Sequence, residues 1–195
     1  MFCSAGQDRP PAVRLGEDAA GAGHTVTSAR NESEVYSEMT QPTGAADSDD
    51  LLPAFSVSAA LAQRAIGAAR EAARGLAVPV CIAVCDQAGH LVAFERMDGA
   101  PLMSAQLAQD KAYSVCAFNG LPTDQWWSML ETEGALLHGI VKTDRLVIFG
   151  GGAPIRSGRH LVGAVGVSGG SEEQDSQIAK AAASSLFGSG SGEPG

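Results

Sequence analysis

Aromatic side chains make up only 5% of the 195 residues, and 13 Lys and Arg stand against 22 Asp and Glu, a formal charge of −9. A chain this acidic lacks the cationic footprint that neutralises phosphates, and anionic lipid would repel it, so neither nucleic acid nor a membrane is expected as partner. No stretch approaches the roughly 20 apolar residues that span a bilayer; a soluble protein is expected. No basic start leads into an apolar core of the secretory type, so no signal peptide is expected either. Cysteines are few: Cys3, Cys81, Cys85 and Cys116 match neither a disulfide framework nor a C-x-x-C knuckle. Cys81 and Cys85, four positions apart on one face of an expected strand, read as core thiols rather than a metal or redox pair, in a protein of the reducing cytoplasm. The histidines His24, His90, His138 and His160 are too scattered for a zinc site, and no metal is expected. G-x-S-x-G and H-E-x-x-H are both missing, which removes the common hydrolytic signatures.

What is present is unevenly distributed. Residues 1–53 hold 3 Arg and 9 Asp and Glu, a net of −6, or two-thirds of the charge excess. They are rich in Gly, Pro, Ser and Thr and follow neither the period of a helix nor that of a strand. Such a segment buries too little surface to offset its ordering entropy, and is expected to be a disordered acidic extension, either a mobile arm or a leader before a start at Met39. Residues 54–187 are the size of one domain, and 188–195 form a Gly/Ser/Pro tail expected to fray. The Ala and Gly richness of 54–187 implies close packing of backbones.

Within 54–187 the spacing predicts a helix from an N-cap at Ser56 or Ser58 to a stop at Gly75. PVCIAVCD and HLVAFERM, joined through Gln87-Ala88-Gly89, predict a β-hairpin. A helix is expected over about 102–118, and another from an N-cap at Thr123 through DQWWSMLETEGALL. LVIFGG reads as a strand, GAPIRSGR as a long turn, and HLVGAVGVSG as the returning strand. Its regular glycines fit a strand approached closely by another backbone. A last helix opens on the capping box Ser171-Glu172-Glu173-Gln174. Two hairpin-plus-helix halves follow, hence an α+β fold with an antiparallel sheet and flanking helices.

Three constellations could carry chemistry. Arg96, Asp98 and Lys111 lie in ERMDGAPLMSAQLAQDKA; if both cations reach one pocket, the guanidinium fork and the ammonium make an anion site for a carboxylate. Otherwise Arg96 pairs with Asp98 to hold the turn and Lys111 is solvated. The Gly150-Gly151-Gly152-Ala153-Pro154 run can present backbone N–H groups to an anion, or be a tight turn. His138, at a helix end, reads as an exposed cap or an axial ligand, and His90 and His160 each begin a strand at the lip of a hairpin, where a structural role is the alternative.

Taken together, D-x-x-G-x-L-V-A-x-x-R-M-D-G-A, the following D-K-A helix, G-G-x-P and G-A-V-G-V-S-G-G resemble the HbpS/GlcG-like haem-binding family, related to the C-terminal domain of some corrinoid adenosyltransferases. The resemblance spans about 54–187. It implies a profilin-like fold, homo-oligomers, and haem as cofactor, with haem degradation or redox sensing among the roles of members. Arg96, Asp98 and Lys111 occupy its R-x-D-G-A and D-K-A positions, and Gly151, Gly152 and Pro154 its G-G-x-P turn. Under that reading Arg96 or Lys111 meets the propionates, and His138, then His90, supplies the axial ligand. The alternative is an enzyme acting on a small carboxylate or carbonyl compound, with Asp98 or Asp175 as general base and the glycine loop as oxyanion stabiliser. A structural or sensory oligomer is the third.

Overall fold

In a computed structural model of the chain, residues 52–187 are described. The acidic extension, the C-terminal tail, Cys3 and His24 lie outside the described residues, apart from Leu52 and Pro53.

Ser58 starts the first helix as expected: its hydroxyl accepts from the Leu61 N–H at 3.2 Å, and α1 runs over Ala59–Gly75. Strands β1 (Cys81–Asp86) and β2 (Leu91–Arg96) form the expected hairpin. Gly89 turns it at φ +87°, and the Asp86 carboxylate accepts from the His90 N–H at 2.8 Å. After α2 (Ser104–Ala117) come a 3₁₀ turn (Thr123–Gln125) and two short helices, α3 (Trp126–Leu130) and α4 (Gly134–Ile140). The second hairpin is β3 (Gly152–Ser157) and β4 (His160–Ser168), and α5 (Glu172–Ser185) carries both halves of the expected capping box.

The two hairpins join through β1 and β4 into one antiparallel sheet of order β2-β1-β4-β3. The central strands are buried on both sides. Val80, Ile82, Val84, Val165 and Val167 face the alanines of α1 and α5, whereas Cys81, Ala83, Cys85 and Ala164 face Ala108, Ala112 and Val115 of α2. The α+β architecture inferred from the hairpins is therefore the observed one, with α1 and α5 on one face and α2 on the other.

Two local expectations are corrected. LVIF is not a strand, and the presumed long turn GAPIRS is β3 itself. Gly151, at φ +118°, turns the chain away from the sheet edge, so residues before it cannot continue the ladder. Pro154 is tolerated because β3 is an edge strand, where a missing N–H need not be paired. This segment is held by α2 instead: the Val147 N–H donates to the Ser114 hydroxyl at 2.9 Å, and just before LVIF the Arg145 side chain donates from Nε to Asp110 at 2.9 Å. Thr123 is not a helix cap either. Its hydroxyl accepts from the Gly152 N–H at 2.8 Å, tying the 3₁₀ turn to β3, and the helix expected after it breaks into α3 and α4.

Cys81, Cys85 and Cys116 are buried free thiols. Burial pushes Cys85 up from 9.0 to about 11 and Cys116 up to about 12; Cys81 moves up too, opposed by Arg96. In a Cys3→Ser background the folded protein is expected to leave all three unmodified by Ellman's reagent at neutral pH, and to expose three reactive thiols on unfolding. The shift also fixes a pH dependence. Unfolded thiols lose their protons near pH 9 while the folded ones keep theirs, so this stabilising contribution is full below pH 9 and lost as pH rises toward 11 to 12. Urea midpoints measured across that range are expected to fall less steeply in Cys85→Ala; an equal slope would contradict the assignment.

Candidate functional site

Lys111 sits on the stripe of α2 that packs against β1 and β4, and its side chain is 1% exposed. The ammonium donates to Asp175 Oδ2 at 2.8 Å and to the Val167 carbonyl at 2.9 Å, and the Phe149 ring lies over it, 5.0 Å from Nζ to centroid. Asp175, in the first turn of α5, is also buried, and its other oxygen accepts from the Gly170 N–H at 2.9 Å. Burial pushes the Lys111 pKa down from 10.5, while the hydrogen bond and charge of Asp175, and the charge of Glu172, hold it up. An unpaired buried charge costs several kcal/mol, and here carboxylate, carbonyl and aromatic face all compensate it. The expectation of a solvated Lys111 is thus corrected: the helical period already carries it inward.

The glycine run closes this pair off. A Cβ on Gly151 would lie 2.6 Å from Lys111 Nζ and 2.5 Å from the Val167 oxygen, so only glycine lets the backbone lie across the ammonium. The Gly150 N–H donates to Glu172 Oε1 and the Gly152 N–H to Thr123 Oγ1, both at 2.8 Å, while the Gly151 carbonyl accepts from the Val167 N–H. Two of the three loop donors are therefore engaged within the protein, as are both oxygens of Asp175. The structure brings together Lys111, Asp175, Gly151 and Gly152; Pro154 lies further along β3, opposite Ala164. Outside Phe149 opens a cleft of about 520 Å³, lined also by Trp127, Ile148, Ser128, Asp124 and Glu172.

Arg96 and Asp98 do not join this group. Arg96 ends β2, two strands away from β4, and its guanidinium donates from Nε and Nη2 to the Ala100 carbonyl at 3.2 and 2.9 Å. The turn is braced by that carbonyl, not by an Arg96–Asp98 ion pair, and Asp98 is exposed. His90 is exposed beside Asp86, with Nδ1 3.4 Å from its carboxylate. His138 lies in the last turn of α4, a helix with no buried side chain. Phe149, Thr123 and Glu172 were not read from the sequence as site residues. Glu172 was visible only as part of a helix start, and Phe149 only as part of an apolar run.

Residues 57–184 match the family model described as haem degrading protein HbpS-like. The chain is 36% identical over 128 residues to the 15.0 kDa protein of the dhaT-dhaS intergenic region of Citrobacter freundii, covering 65% of this chain and 89% of that one. Among solved structures, a variant of Streptomyces reticuli HbpS superposes with a TM-score of 0.66 at 28% identity, covering 75% of this chain and 98% of that one. The haem complex of PduOC superposes with a TM-score of 0.60 at 31% identity, covering 68% and 96%. By this match, which takes in both hairpins and the helices that carry Lys111 and Asp175, the chain belongs to the HbpS-like family.

Proposed function

We propose that the protein binds haem at the surface formed by α3 and α4. The observation that carries this reading is the placement of His138 on a helix that contributes nothing to the core and whose apolar neighbours in the chain stay exposed, Leu136 at 49% and Val141 at 46%; on α3, Trp127 is 56% exposed as well. An imidazole is a common ligand of haem iron and an apolar surface takes the macrocycle, so the residues present fit the group. The kinship with a protein crystallised as a haem complex supports the same ligand. Haem would supply a redox-active iron; His138 would ligate it, and exposed Lys142, four positions further on, would meet a propionate, whereas Arg96 is engaged with the Ala100 carbonyl at the end of β2. Lys111 is not counted on for that role, because its charge is committed to Asp175. The same exposed apolar side chains fit a homo-oligomer, in which they would be covered. Haem degradation and redox sensing are further roles that kinship suggests.

Titrating the full chain with hemin is expected to give a Soret band that saturates at a fixed ratio per subunit. His138→Ala is expected to shift that band and weaken binding, and His90→Ala to leave both unchanged. Unsaturable, featureless binding would sink the proposal; a shift confined to His90→Ala would move the ligand to the β1–β2 turn. Loss of the saturated band on adding peroxide, with release of iron, is the outcome expected if bound haem is degraded. The enzyme reading with Asp175 as base has no comparable support, since that carboxylate is buried and doubly bonded.

A further inference from the structure

Two guanidiniums and an imidazole gather where the β3–β4 hairpin turns. Arg156, Arg159 and His160 line a recess of about 250 Å³ together with Phe55, Gln87 and Asn119. In a chain with excess acid, the described residues lining this recess include no carboxylate. Elsewhere the cations Arg70, Arg74, Lys111, Arg145 and Lys180 each pair with an acid, but among the described residues no ion pair engages Arg156 or Arg159.

The recess is also shaped in advance. Arg156 Nη2 donates to the Asn119 carbonyl at 3.1 Å and reaches the Gly120 carbonyl at 3.5 Å. Gly120, at φ +85°, makes room for it, because a Cβ there would fall 3.0 Å from the Arg156 Cζ. One edge of the guanidinium is therefore held by backbone, leaving other donors unspent, and His160 is held against Phe55 with ring centroids 4.8 Å apart. Gly158, at φ +56° with open space around it, lets the hairpin turn tightly enough to bring Arg159 back beside Arg156.

We propose that this recess is a binding site for a small phosphorylated molecule. Clustered guanidinium forks match the several oxygens of a phosphate group, and Gln87 and Asn119 in the lining add polar residues for a hydroxylated body. A recess of about 250 Å³ suits the size of a small metabolite. The site is separate from α4 and does not depend on the haem reading.

Calorimetric titration of the full chain with inorganic pyrophosphate at fixed ionic strength tests this, with citrate as a polycarboxylate control. Saturable binding of one pyrophosphate per subunit is expected, weakened roughly tenfold or more by Arg159→Ala, since one charged hydrogen-bonding partner is removed. Arg156→Lys, which keeps the charge but not the fork, is expected to weaken it as well. Arg64→Ala, which removes an exposed cation on α1, is expected to leave binding unchanged. Because Arg159 is exposed on a turn, its variant is expected to fold normally by circular dichroism. Four results would each overturn the proposal: no saturation, tighter binding of citrate, an equal loss in Arg64→Ala, or an Arg159→Ala variant that loses hemin rather than pyrophosphate.

Discussion

Replacing Lys111 by Met is expected to destabilise the fold by about 3–5 kcal/mol, because it leaves the Asp175 carboxylate buried without its counter-charge. The carboxylate is 4% exposed and cannot turn out to water. The Gly170 N–H would be its one remaining donor, and the Gly151 backbone lies close by, since a Cβ there would fall 2.9 Å from the Asp175 Cβ. Changing Asp175 to Asn in the same chain is expected to recover a large part of the loss: the neutral amide keeps the acceptor for Gly170 and needs no ammonium. A double-mutant cycle measured by urea unfolding is thus expected to show a coupling of about 1–3 kcal/mol. A Lys111→Met protein within about 1 kcal/mol of the parent would contradict the buried pair. The double variant also separates scaffold from ligand site. If it folds and takes hemin with the parent's stoichiometry, Lys111 and Asp175 serve the architecture; if hemin binding alone fails, they serve the ligand.

The same pair marks how far the sequence could be read. Lys111 falls on the stripe of Ala108, Ala112 and Val115, so its inward direction was legible from helical spacing. Its partner was not, because Asp175 lies 64 positions away on a helix of the opposite layer, and no local pattern encodes a contact that passes the end of the sheet. The hairpins and helix starts were legible for the converse reason. Ser58, Gly89 and the Ser171–Gln174 box act within four residues of themselves, where side-chain hydrogen bonds and left-handed glycine decide the backbone.

LVIFGGGAPIRS went wrong where composition and position disagree. Its first half has the strand-forming side chains, but the edge of β4 is filled by its second half, whose proline is harmless at an edge and whose Gly152 fits between Thr123 and Val115. Register against β4 decided the matter, and register is a property of the assembled sheet. The recess at Arg156 was hidden for a similar reason. Asn119, Gln87 and Phe55 come from three separate connections, and only the folded hairpin brings them around the guanidinium.

Gly166→Ala is expected to be as damaging as loss of Lys111, at about 3 kcal/mol or more, although it adds a single methyl group. Gly166 lies near the C-terminal end of β4, beneath α2, and a Cβ there would stand 2.6 Å from the Ala112 nitrogen and 3.1 Å from the Ala108 carbonyl carbon. These are backbone atoms of a helix, and no rotamer can move them aside. The helix must lift off the sheet as a whole, opening the layer of Ala83, Cys85, Ala164 and Val115 and drawing Lys111 away from Asp175. Close approach of α2 is therefore what places the ammonium, and the Ala and Gly content of this layer is what permits the approach. Gly134→Ala is the matched control. That glycine begins α4 with nothing within 4 Å of an added Cβ, so the change is expected to leave stability unaltered or raise it by about 0.5–1 kcal/mol. Thermal unfolding of the two variants beside the parent decides the point: a Gly166→Ala protein melting within a few degrees of Gly134→Ala would mean that α2 does not rest backbone to backbone on the sheet. If the lifted helix also exposes the thiols, Cys85 and Cys116 in Gly166→Ala are expected to react with Ellman's reagent without denaturant, a readout that a merely local clash would not move.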